Sequence, residues 1–360
     1  MGFTIPFANG DTRKKRAQII AVDLGSRTTK AVLLERRGEL LALTRFALLD
    51  APIVEKKISP ELLADHLHNV AEALGGNVKY IAAAVGLGDA LVRQVELPQM
   101  PLDELRAIVK MNHKNYLQQD LPNHAFDCYI IPPRLNDKPE DGKAVSAAPK
   151  KLKVLAAAAK QQIIADFMQA AKAAGLVPDA LVPGLLGPIN AFEKAQPDIF
   201  AKEAVALVDI GFKHTSVCVL DRGELATSRT INIGGDQITA GLSEAMSISY
   251  AEAEGIKVGM APEIEVHLQS QVVPLGREIR ASLDFFEHQQ DRPVSEIYLS
   301  GGSTRSEMIL QILRSELLVE CKTWNPTGFL QLALPGQQAV EIDHIGPQLT
   351  VAIGTALAIY

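Results

Sequence analysis

Two short stretches hold the residue types that could do chemistry. Asp23-Leu24-Gly25-Ser26-Arg27-Thr28-Thr29-Lys30 follows one apolar run, and Asp209-Ile210-Gly211 follows another. In each, an acid ends a buried-strand pattern and a glycine stands two positions later. Glycine lets backbone N–H groups close on phosphate oxygens. Ser26, Thr28 and Thr29 add hydroxyl donors, and Lys30 adds a positive charge. Carboxylates repel phosphate, so Asp23 and Asp209 make sense through a hydrated Mg2+ that bridges carboxylates and phosphates. One Asp-x-Gly in a hairpin is an ordinary turn former. Two at matched places suit one ligand held between two halves of a molecule. Two double glycines strengthen the pattern. Gly234-Gly235 precede Asp236 and Gln237 at a helix start, and Gly301-Gly302 end a strand ahead of Ser303, Thr304 and Arg305.

The elements that must position these residues repeat. Residues 18–34 and 39–49 read as a hairpin about Gly38, and strands 204–210, 216–220 and 226–232 repeat the theme. Each half then reaches the same tetrapeptide, Arg37-Gly38-Glu39-Leu40 and Arg222-Gly223-Glu224-Leu225, which we take to occupy equivalent places. Helices are expected at 60–74, 101–117, 163–175, 185–195, 236–246, 250–259, 269–289 and 304–317, and strands at 80–86, 91–98, 153–159 and 296–302. The helix over 101–117 begins with proline and acids. It carries Leu105, Ile108, Val109 and Tyr116 on one side and Arg106, Lys110 and Lys114 on another. Residues 133–151, rich in proline and charge, read as a long mobile loop. The apolar run 349–360 reads as a buried C-terminal helix.

Composition bounds the rest. A chain of 360 residues exceeds one ordinary domain. A net charge of −6 gives no reason to expect nucleic acid as a partner. Cys128, Cys218 and Cys321 are widely spaced, which suits a reducing compartment and offers no metal-ligand spacing. The 12-residue run at the C-terminus is too short to span a bilayer, which takes roughly 20 residues. Residues 1–17 read as a flexible leader. Its basic run Arg13-Lys14-Lys15-Arg16 offers weak contact with an acidic membrane surface as the alternative.

Taken together, the motifs resemble those of the actin/Hsp70/sugar-kinase superfamily of ATP-binding proteins. VDLGSRTTK (22–30) is similar to its first phosphate motif, VDIGFKHTSV (208–217) to its second and YLSGGSTR (298–305) to its adenosine motif. AEGIK (253–257) is similar to the glutamate–lysine pair beside ribose and adenine. Within the superfamily the chain most resembles the PilM family of type IV pilus assembly, through residues 92–117, AAKAAGLVPDAL (170–181), RTINIGGDQIT (229–239) and TWNP (323–326).

The resemblance implies an α/β, two-lobed actin-like fold, each lobe a ribonuclease-H-like mixed sheet with helices. The first lobe would cover 18–200 with a small extra subdomain at about 87–160, and the second 201–345. Helix 346–360 would return to the first lobe. It implies ATP and Mg2+ as cofactors. Asp23, Gly25, Ser26, Arg27, Thr28, Lys30, Asp209, Gly211, Thr215, Gly234, Gly235 and Asp236 would bind the cofactor, with Gly25, Ser26, Gly211 and Thr215 at its phosphates. Glu254, Lys257, Gly301, Gly302, Ser303 and Arg305 would serve the nucleoside end, and Asp23 and Asp209 would reach Mg2+ through water. The implied role is a cytoplasmic protein at the inner face of the inner membrane, in a pilus or type II secretion platform. There it would grip the cytoplasmic tail of a PilN-like bitopic protein. Pilus assembly ATPases and self-association are further implied contacts.

Two positions depart from the family pattern. Pro183 and Gly184 stand where an acid usually orients the attacking water, and no Asp or Glu lies between Asp179 and Glu193. Hydrolysis is therefore expected to be weak or absent. Arg27 replaces a small residue, with phosphate or solvent as its destination. The competing readings are a polymerising FtsA-like division or membrane-scaffold protein and a sugar or metabolite kinase. The kinase lacks a dedicated signature, and the ending at Tyr360 inside an apolar run is read against the FtsA-like protein.

Overall fold

The computed structural model describes residues 16–53, 58–132, 151–259 and 264–360. The expected leader falls largely, and the expected mobile loop almost wholly, outside these residues.

In chain order, a meander β1 (Gln18–Leu24), β2 (Thr28–Arg37) and β3 (Leu40–Asp50) leads to α1 (Pro60–Ala73) and β4 (Tyr80–Val85). An insert follows, with β5 (Ala90–Pro98), α2 (Leu102–Met111), α3 (His113–Tyr116), β6 (His124–Ile130) and β7 (Lys151–Lys160). Then come α4 (Gln161–Ala173), β8 (Val177–Pro183), α5 (Leu186–Ala195) and α6 (Pro197–Lys202). A second meander, β9 (Ala204–Ile210), β10 (Thr215–Asp221) and β11 (Glu224–Ile231), precedes α7 (Gly235–Met246), α8 (Tyr250–Gly259) and α9 (Glu265–Gln290). The chain closes with β12 (Glu296–Ser300), α10 (Glu307–Leu317), β13 (Cys321–Thr323), β14 (Gln331–Leu332), α11 (Gly336–Ile345) and α12 (Thr350–Leu357).

Three sheets result, in the orders β14-β3-β2-β1-β4-β8, β11-β10-β9-β12-β13 and β5-β7-β6. The first two sheets share a plan. An antiparallel meander lies beside parallel strands that arrive by helical crossovers. This is the two-lobed arrangement, with a small insert in the first lobe, that the resemblance implies.

Sequence chemistry explains the central strands. β1 is buried on both faces. Ile19 and Ala21 join one core, Ile20 and Val22 another. α1 starts where Ser59 accepts the amide of Leu62 at 3.2 Å and Pro60 fills the first turn. It ends at Gly75 and Gly76, both with positive φ. Its stripe of Leu63, Leu67, Val70 and Leu74 packs under the first sheet. Each such leucine is worth about 2 kcal/mol of burial. On the opposite face α5 and α12 cross, and their core runs on into the second lobe through Val205, Leu207, Tyr298 and Trp324. Phe192 of α5 meets the rings of Tyr298 and Trp324 edge-on at 4.6 and 5.2 Å.

Three expectations are corrected. The helix over 101–117 breaks at Asn112 (φ −119°, ψ 30°), and Pro101 caps it from outside. Leu105 and Val109 are buried against β6 and β7, with Ile108 and Tyr116 partly so. Its basic row is only partly a free positive face, because Arg106 binds Asp127 (2.7 Å) and Asp103 (3.0 Å) and Lys114 binds Asp120 (2.9 Å), while Lys110 is exposed. The repeated tetrapeptide is also out of register. Arg37 lies 14 residues after Asp23, but Arg222 lies 13 after Asp209. Gly38-Glu39 therefore form the first turn, between paired Arg37 and Leu40, whereas Arg222-Gly223 form the second, between paired Asp221 and Glu224. A one-residue slip moves a side chain to the other face. Glu39 and Leu40 are exposed, and Glu224 and Leu225 are buried.

Candidate functional site

Asp23 and Asp209 sit at the same place in the two meanders. Asp23 pairs across the ladder with Lys30, and Asp209 with Ser216. Residues opposite one another share a face of the sheet, so Asp23 and Lys30 face one cleft and Asp209 and Ser216 face it from the other side. Lys30 Nζ lies 3.2 Å from Asp23 Oδ2. Ser300, at the end of the neighbouring parallel strand, donates to Asp209 Oδ1 at 2.8 Å.

The turns between the strands are closed tightly. A Cβ at Gly25 would stand 2.5 Å from the Thr28 carbonyl and 2.9 Å from Lys30 Nζ. At Gly211 it would stand 2.9 Å from the His214 carbonyl. Both glycines are therefore required by close approach. The resulting cleft of about 510 Å3 is lined by both turns, by Gly86–Asp89, and by Gly235, Glu254, Lys257, Gly302, Ser303 and Arg305.

Charge is concentrated here. Burial, helped by the Asp23 carboxylate, pushes the Asp209 carboxyl up to about 6, although the Ser300 hydroxyl and Lys30 oppose the shift. Burial works against the Lys30 ammonium, but Asp23 and Asp209 outweigh it and hold the amine above its ordinary range. At the far end Lys257 is buried, and burial lowers its pKa in spite of Glu254. Its ammonium donates to Glu254 (2.7 Å), Thr239 (2.6 Å) and the Gly235 carbonyl (3.3 Å). Burial raises the Glu254 carboxyl, but Lys257 and Thr239 win and hold it below the usual range. Arg27 lines the cleft and its side chain remains 43% exposed. Its guanidinium bridges the cleft to Glu254 at 3.1 Å and lies 5.5 Å from the Phe212 ring.

Of the residues proposed from sequence, Asp23, Gly25, Ser26, Arg27, Thr28, Lys30, Asp209, Gly211, Gly235, Glu254, Lys257, Gly302, Ser303 and Arg305 line this cleft. Four do not. Thr215 points away, fully buried, and donates to the Ile233 carbonyl at 2.7 Å. It is the counterpart of Thr29, whose hydroxyl meets His66 on the same hidden side. The ladder pairing makes Ser216 the cleft residue, seven positions after Asp209 just as Lys30 stands seven after Asp23. Asp236 is held by Lys213 (2.6 Å) and the Tyr250 hydroxyl (2.8 Å). Gly234 and Gly301 serve packing, since a Cβ would stand 2.4 Å from the Phe212 carbonyl and 2.5 Å from that of Ile210. Sequence reasoning also missed Gly86 and Gly88, at and just past the end of the predicted strand 80–86, which were a readable signal. Gln348 lines the cleft from the chain's far end, with no local signal.

Which group fits this donor set follows from its chemistry. Two carboxylates face two glycine turns and a lysine, and among the described residues no cluster of three or more metal-ligating side chains exists. That suits a Mg2+ that keeps most of its waters and takes other ligands from phosphate.

Comparison with known proteins agrees with the fold. The chain resembles the solved PilM-PilN type IV pilus biogenesis complex with a TM-score of 0.81 at 22% identity, over 97% of this chain and 100% of that one. It resembles MreB5 of Spiroplasma citri bound to ADP with a TM-score of 0.50 at 12% identity, over 96% of each chain. It is 24% identical to the cell division protein FtsA of Bacillus subtilis (strain 168) over 261 residues, 69% of this chain and 54% of FtsA. The chain thus spans about half the length of that curated relative. The family profile described as type IV pilus assembly protein PilM matches residues 21–360, nearly the whole chain, and the chain belongs to that family.

Proposed function

We propose that this protein is an ATP-binding member of an inner-membrane pilus or secretion platform, working at its cytoplasmic face. It binds Mg2+–ATP in the cleft and grips a short cytoplasmic tail of a PilN-like membrane protein. The observation that carries the reading is the pair Asp23 and Asp209, presented on two matched glycine turns with Lys30 between them. Backbone N–H groups of the turns would hold phosphates, and the carboxylates would orient the hydrated metal. Glu254, Lys257, Ser303 and Arg305 would frame the nucleoside. No helix among the described residues is long and apolar enough to cross a membrane, which is consistent with peripheral attachment through a partner.

Catalysis should be slow. Gly184 lines the cleft where the family places its acid, its amide bound to the Val85 carbonyl at 2.8 Å. Of the acids that line the cleft, Asp23, Asp89 and Glu254 are paired with Lys30, Lys160 and Lys257, Asp209 accepts from Ser300, and Asp50 is exposed. Loss of a general base costs 10²–10⁴-fold, so turnover should fall at or below roughly 0.1 s⁻¹ against a typical enzyme's ~10 s⁻¹. Phosphate release from pure protein at several per second would contradict this.

The insert is the place for the tail. It has two edge strands, β5 and β6, on which an extended segment can add with main-chain hydrogen bonds. Because Arg106 and Lys114 are already paired, docking should rest little on charge and depend weakly on salt. A synthetic peptide of the tail, at saturation, should protect backbone amides within 90–130 from hydrogen exchange. Protection found only elsewhere would refute this docking site.

A further inference from the structure

The second copy of the repeated tetrapeptide does something the first does not. The slip in register turns Glu224 inward, and its carboxylate is buried at 8% exposure. It lies outside the cleft lining, and the insert covers it. Lys153 of β7 donates to both its oxygens at 3.0 and 2.8 Å, and Gln94 of β5 approaches at 3.5 Å. Around this clasp Val92 and Leu155 of the insert and Leu225 of the second lobe are buried in one core. The Ser228 hydroxyl donates to the Val92 carbonyl at 3.5 Å. A buried carboxylate is costly to strip of an ammonium that binds it, so the contact resists separation.

The ends of the elements involved matter most. The β10–β11 hairpin begins at Thr215 and Ile231, beside the Gly211 turn and Gly234-Gly235, and ends at Asp221 and Glu224. Seven residues of strand span about 20 Å, so one stiff ladder has the cleft at one end and the clasp at the other. On the other side the insert is tied to the first lobe. β5 starts straight after Gly86–Asp89, which lines the cleft, and Lys160 at the end of β7 holds Asp89 at 2.7 Å. The insert is therefore joined to the first lobe by its chain and to the second by Glu224. The lobes cannot part without either moving the insert or breaking the clasp.

We propose that Glu224, through Lys153, is the positioning residue that makes cleft opening and insert position one motion, so that occupancy of the nucleotide cleft and of the insert each shift affinity at the other. This rests on the nucleotide reading above. The reciprocity follows from linkage, with couplings typically about 5–150-fold.

The test uses the full chain with Glu224→Gln, Lys153→Met and the pair together. Without ligand, amide exchange in 90–98 and 224–231 should rise about tenfold or more in each variant. Calorimetric affinity for Mg2+–ATP should weaken by about fivefold, and the double variant should be no worse than either single one. Lys153 is half-exposed, so its replacement probes the clasp even if Glu224→Gln folds poorly. Exchange at the wild-type rate in the seam, or ATP affinity within twofold of wild type or tighter, overturns the proposal. If wild type binds no ATP, the nucleotide reading fails, and the seam exchange still judges the clasp by itself.

Discussion

Asp209→Asn should make the ligand-free protein more stable and at the same time abolish most of its metal-dependent ATP binding. The carboxyl titrates near 6 in the folded chain, against about 3.8 when unfolded. The sign follows directly. The folded state holds this proton more tightly than the unfolded state. The group's contribution to stability is therefore fully favourable below 3.8, falls as pH rises to 6, and stays at its least favourable value above. At pH 7 the shift corresponds to roughly 1–3 kcal/mol of cost, which asparagine removes while its amide oxygen still accepts from Ser300. The melting temperature should rise by a few degrees. Mg2+–ATP affinity should fall about tenfold or more, which is roughly 1.4 kcal/mol or more. In EDTA the order should reverse, because removing a negative charge near phosphate relieves repulsion. A lower melting temperature at pH 7, or equal loss of ATP binding with and without Mg2+, would show that Asp209 is a structural residue and not a metal-facing one.

Gly354→Val should be among the most damaging single changes in the chain. At the crossing of α5 and α12 a Cβ on Gly354 would stand 1.8 Å from the Gly187 carbonyl oxygen, and one on Gly187 would stand 2.8 Å from Val351 Cα. The helices touch backbone to backbone, and Asn190 reaches the Gly354 carbonyl at 3.1 Å. No side chain can move aside, so the helices must part and open the core beneath. The expected cost is about 3 kcal/mol or more. Over a chain of 360 residues thermal unfolding should shift down by roughly 4 °C or more. Gly255 in α8 is the control, since a Cβ there meets nothing within 4 Å. Gly255→Ala should be neutral or stabilise by about 0.5–1 kcal/mol. Equal melting temperatures for Gly354→Val and wild type would mean that α5 and α12 do not cross as described.

What the sequence disclosed, and what it hid, divides along physical lines. Elements with strong periodicity and clear punctuation were legible. α1 has its serine cap, first-turn proline and closing glycines, and α4 ends at Gly175 with φ +76°. The two acid–glycine turns were legible because their chemistry is local. Side-chain direction was harder. Thr215 and Ser216 are adjacent and both hydroxylic, and only the ladder register decides which one faces the cleft. The tetrapeptide misled in the same way, since identical letters one residue out of step put Glu39 in solvent and Glu224 in a buried clasp. The break at Asn112 carries no proline or glycine, so helical spacing alone ran through it. Short strands such as β13 and β14 hold too few residues for a pattern and owe their form to the sheet edge they join. Gln348 and the bridge from Arg27 to Glu254 are products of the closed fold, in which distant segments meet.

The account stands most directly on a calorimetric titration of the full-length protein with ATP in the presence of Mg2+. It predicts a one-site binding isotherm that weakens when EDTA replaces the metal and weakens again in the metal-containing buffer when Asp209 becomes asparagine. No heat of binding at millimolar ATP, from protein whose circular dichroism shows it folded, would contradict it.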